Sequence, residues 1–90
     1  MIALTDCIAL CGLTEEQVLA IAEHEHVQEI VAASLAQKLM TKRLGPMHVR
    51  EMIRDDIRDA VTRKDFEHAR ELLAVMHHFL NEHPEARPPF

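Results

Sequence analysis

The chain reads as all-α, a compact bundle of about five short helices. Three observations predict this class. Apolar residues recur at three- and four-residue spacing, and no segment alternates as a half-buried strand does. Gly12, Gly45, Pro46, Pro84, Pro88 and Pro89 all fall outside those periodic stretches. Helix-capping residues stand at the borders that result.

The first helix is expected over about residues 3–11, with Gly12 in the left-handed position that closes a helix. Cys7 and Cys11 lie one turn apart on one face of it. They read as small buried side chains rather than as a disulfide framework. The second helix is expected over 15–23. Thr14 at the N-cap and Gln17 three residues on have capping-box spacing, Leu13 and Val18 can staple the cap, and Glu15 and Glu16 suit the positive end of the helix dipole.

Beyond Glu23 the apolar side turns. Val18, Ile21 and Ala22 point one way; Val27, Ile30, Val31 and Leu35 point roughly 140–160° away at 100° per residue. This predicts a corner at 24–26 and a third helix over 27–41, with Ser34 and Lys38 on the same side as its larger apolar residues. Lys42, Arg43 and Gly45 are stop signals. Pro46 then opens a fourth helix over 46–63, striped by Val49, Met52, Ile53, Ile57, Ala60 and Val61. Asp65 caps a fifth over 66–82, carrying Phe66, Ala69, Leu72, Leu73, Met76, Phe79 and Leu80. One domain, 1–84, and a flexible tail, 85–90, follow from this division.

Composition narrows the function classes. Apolar residues are 48% of the 90, but only three are aromatic, all Phe. The core is therefore built from aliphatic side chains and methionine. The formal charge of −5 argues against a phosphate-binding surface, and no run is long enough to span a bilayer. Met1–Asp6 lacks the basic start of a secretory signal, so a cytoplasmic location is the expectation. Residues 15–41 have the outline of a helix-turn-helix, but the helix that would read bases has no Arg or Lys before Lys38 and carries Glu29 at its start. Nucleic acid is not an expected partner.

Seven histidines is a high count for so short a chain. The densest group of metal-ligand types is Glu23, His24 and His26, followed by Glu29. Imidazole and carboxylate together suit Zn, Fe, Ni or Mn. His24 and His26 can share one ion only if the backbone there is not helical. His77 is the candidate that another helix would bring to the corner. A Cys7, Cys11, His24, His26 set has zinc-finger spacing in its first two gaps only. His48 and His68 read as surface residues. Asp56 lies near the centre of the fourth helix's apolar stripe, where a carboxylate needs a partner, a proton or access to water; a place at the rim of the core, its head in water, is the expectation. Arg50, Arg54 and Arg58 form a row beside Glu51, Asp55, Asp56 and Asp59 that reads as a salt-bridged, solvated face.

No phosphate loop or nucleophile–base pair is present to support catalysis. The third helix is apolar or Ala around much of its circumference, which marks either a central helix or one that meets a second copy. The sequence is therefore read as a small interaction module with a protein partner or itself as a homodimer. Transition-metal binding through Glu23, His24, His26, Glu29 and His77 is the alternative.

Overall fold

A computed structural model describes residues 12–87. They form four α-helices and a short 3-10 turn, with no strand among the described residues. The helices are α1 (Glu15–Glu25), α2 (Glu29–Met40), α3 (Gly45–Thr62) and α4 (Phe66–Glu82), and the turn is Pro84–Ala86. The helix expected at 3–11, with Cys7 and Cys11, lies outside the described residues.

The capping chemistry at the start of α1 is present in full. Gln17 N–H donates to Thr14 Oγ1 at 3.2 Å, and Thr14 N–H donates to Gln17 Oε1 at 3.0 Å. Gln17 is wholly buried, and its amide nitrogen reaches Glu82 Oε1 at 3.4 Å, tying the start of α1 to the end of α4.

α1 runs two residues further than the sequence predicts, so the corner is 26–28 and not 24–26. His26 closes the helix in the left-handed conformation, φ 57° and ψ 45°, and Val27 N–H reaches back to Ala22 O at 3.1 Å. This is a Schellman-type end, normally the work of glycine. Lys64 closes α3 the same way at φ 61°, with Asp65 N–H on Ala60 O at 2.8 Å. Neither His26 nor Lys64 is a residue that announces such a turn in sequence.

The sense of the turning apolar side is also corrected. α2 buries Ala32, Ala33, Ala36 and Leu39. Two of its larger residues face out, Ile30 at 43% exposed and Val31 at 50%, with Val27, just before the helix, at 37%; Leu35 and Met40 are half-buried against the core. Ser34 and Lys38 share that outward side. Ile and Val mark an apolar side in sequence more strongly than Ala does, but the fold buries the alanines.

α3 and α4 pack most extensively on each other, and α1 lies against both α2 and α3. Gly45 and Pro46 are buried in the first turn of α3. A Cβ on Gly45 would land on the carbonyl oxygen of Leu39, so the α2–α3 connection needs a glycine there. Phe79, Ile21, Ile53, Val18 and Val49 are the large apolar residues at the centre of the core. The last described residues lie back on the body: Ala86 is fully buried, and Arg87 Nε donates to Leu80 O at 3.2 Å. The radius of gyration is 12.6 Å, near the roughly 12 Å expected for this length. The shape is a slab, 40 × 30 × 17 Å. No helix among the described residues is long and apolar enough to cross a membrane.

Candidate functional site

The last turn of α1, the middle of α3 and the first turn of α4 meet around an open groove of about 810 Å³. From α1 and its cap come Ala22, Glu23, His24 and His26; from α3, Asp55, Asp56 and Asp59; from the corner beyond it and the start of α4, Arg63, Asp65 and His68. The two left-handed helix ends, at His26 and Lys64, turn the chain at this edge of the molecule.

Both half-buried histidines are held at each ring nitrogen. His24 has Nδ1 2.8 Å from Glu25 Oε2 and Nε2 3.3 Å from Asp55 Oδ2. Burial works against charging this ring, but the bonds to Glu25 and Asp55 outweigh it and raise its pKa. His68 has Nε2 2.6 Å from Glu23 Oε1 and Nδ1 3.3 Å from Glu71 Oε2. The Glu23 contact is the main reason its pKa is raised, with burial opposing. The surface placement expected for His68 is thus corrected: it is a wall of the groove.

Two carboxylate oxygens at the groove are buried without a hydrogen-bond partner among the described residues, Glu23 Oε2 and Asp56 Oδ2. Asp56 is only 4% exposed, so its expected place at the rim is corrected. Burial first, then the negative charge of Glu23, pushes its pKa up to about 7. A helix stripe shows that a carboxylate lies near the core; it does not show that a second acid from another helix will face it.

Of the five metal candidates, Glu23, His24 and His26 line the groove. His24 is inside α1 rather than in an irregular corner, and His26 is exposed. Glu29 begins α2 and is not part of the lining. His77 is exposed on α4, about 13 Å further along the helix axis than His68 at 1.5 Å per residue. Among the described residues no group of three or more His, Cys, Asp or Glu is placed to hold a metal ion. Asp55, Asp59, Asp65 and His68 were not legible as site residues, because three separate segments bring them in. Arg50, Arg54 and Arg58 make no ion pair among the described residues, and Arg50 Nε is buried without a partner; the one Arg–carboxylate pair is Arg63 Nε to Asp59 Oδ2, at 3.1 Å.

A second, apolar groove of about 400 Å³ lies between α1 and α4, lined by Leu19, Ala20, Leu72 and Val75. Glu23 and His68 line both grooves, so their contact is the partition between a polar and an apolar concavity.

The chain matches no family model, no curated protein and no solved structure at a significant level. Function is therefore argued from the molecule itself.

Proposed function

We propose that the protein is a small helical interaction module that pairs with a second copy of itself through the outward side of α2. One observation carries the reading: α2 turns Ala32, Ala33 and Ala36 inward and leaves Val27, Ile30 and Val31 exposed. For a solitary domain this is the wrong way round, because the larger side chains gain more from leaving water. Covering these half-exposed residues is worth about 1 kcal/mol each, and a two-fold interface counts each of them twice.

Two further features support it. The accessible surface is 5969 Å², against about 5,400 Å² for a compact monomer of this mass. The exposed side of α2 carries few charges: Ser34 and Gln37 continue it, with Lys38 at its far end. A polar rim around an apolar centre is the usual anatomy of a protein interface.

Sedimentation across the micromolar range tests the reading. The expected result is a mass that rises to twice 10.3 kDa, and a monomer for the Ile30→Asp, Val31→Asp double variant with unchanged helix content. A monomer at every concentration overturns self-association; a dimer that survives the double variant overturns the α2 interface.

A further inference from the structure

We infer that the groove between α1, α3 and α4 binds an organic cation, an aliphatic amine whose ammonium group sits between Glu23 and Asp56. The inference is independent of the α2 surface, since no residue of α2 lines this groove.

The argument starts from the two orphaned oxygens. Glu23 Oε2 and Asp56 Oδ2 are each buried without a donor, while the other oxygen of Glu23 already meets His68. A buried carboxylate oxygen with no partner is costly, and two that repel each other are costlier. Each oxygen needs hydrogen-bond donors, and an ammonium group carries three and no acceptor. Asp56, 4% exposed, faces the groove from the core side. The acids here are therefore not merely a solvated surface.

Three features favour an organic cation over a metal ion. Two of the three imidazoles that line the groove, His24 and His68, have both ring nitrogens engaged by carboxylates. No set of three donors among the described residues closes on one point. The groove, at about 810 Å³, is of the size that takes a small organic molecule rather than a bare ion. Its acids are also spread out. Asp55, Asp59 and Asp65 stand along the opening, which suits a ligand with more than one ammonium group on a flexible chain. Arg63, the one Arg or Lys of the lining, is paired with Asp59, so the other acids of the groove leave it net negative.

Spermidine, a linear triamine, is the probe. Calorimetric titration of the tagless protein at physiological ionic strength is expected to show saturable, one-to-one binding, with a Kd below about 1 mM. Asp56→Asn keeps the shape of the side chain and removes its charge; it is expected to weaken binding about tenfold or more. Glu51→Gln, at an exposed acid outside the groove, is expected to leave binding unchanged. Melting curves of both variants show that the fold is retained. No saturable binding overturns the inference, as does equal weakening by Asp56→Asn and Glu51→Gln, which marks unspecific charge attraction. A parallel titration with MnCl2 separates the metal reading: Mn2+ bound more tightly than spermidine, and lost in Asp56→Asn, overturns the organic cation in favour of an ion.

Discussion

His68 Nε2 lies 2.6 Å from Glu23 Oε1, a contact between residues 45 positions apart that pins the first turn of α4 to the last turn of α1. It is the shortest side-chain contact among the described residues. On one side of it is the acidic groove, and on the other the apolar groove.

The contact makes stability depend on pH. The pKa of His68 is raised in the folded chain, so the folded state holds the proton more tightly than the unfolded state, whose value is 6.5. The stabilisation is therefore complete below pH 6.5 and is lost as pH rises through the raised folded value. Both groups are about one-third exposed, and solvent screening holds the effect to about 1 kcal/mol. His68→Ala is expected to lower the urea midpoint near pH 6 and to change it less above pH 8. An equal loss at both pH values would assign the contact to packing alone.

Asp56 titrates with the same sign for a different reason. Its pKa rises from 3.8 unfolded to about 7 folded, so the folded state takes up a proton between those values. Its penalty is absent at low pH and grows as pH climbs from about 4 to 7, on the order of 4 kcal/mol if expressed in full. Asp56→Asn is expected to raise the melting temperature at pH 8 and to flatten the slope of stability against pH. At about 4–8 °C per kcal/mol for a domain of this size, half of that penalty is readily measured. An unchanged slope would show that water reaches the carboxylate.

Gly45→Ala is expected to destabilise the fold, the reverse of what replacing a glycine in a helix usually does. There the exchange normally gains about 0.5–1 kcal/mol, because Ala is the better helix former. Here the new Cβ meets the carbonyl of Leu39, and backbone must move. A melting temperature at or above that of the parent chain would contradict the tight α2–α3 connection.

Much of the fold was legible because local chemistry decided it. Thr14 and Gln17 form the box their spacing predicts, Asp65 Oδ1 accepts from His68 N–H at 3.3 Å, and Pro46 stands in the first turn of α3. The first corner was displaced because its signal was indirect. It was inferred from a rotating apolar side, but His26 ends α1 through a backbone conformation that histidine does not advertise. The site was half legible for the same reason. Glu23, His24 and His26 are neighbours in sequence, and a cluster of ligand types can be seen there. Asp55, Asp59, Asp65 and His68 join them only through the packing of α1 on α3 and of α3 on α4. Glu29 and His77 were drawn in by composition and are left out by the direction and length of their helices.

The alanine face of α2 divides the molecule into two tiers of persistence. Alanines give up little apolar surface, so α2 is held by Leu39, half-buried Leu35 and Met40 and three methyl groups, whereas α3 and α4 share fully packed Met52, Ile53, Leu72 and Phe79. Local opening therefore begins at α2, and its amide hydrogens exchange with solvent ahead of those in α3 and α4. The acidic groove draws no wall from α2 and outlasts that opening.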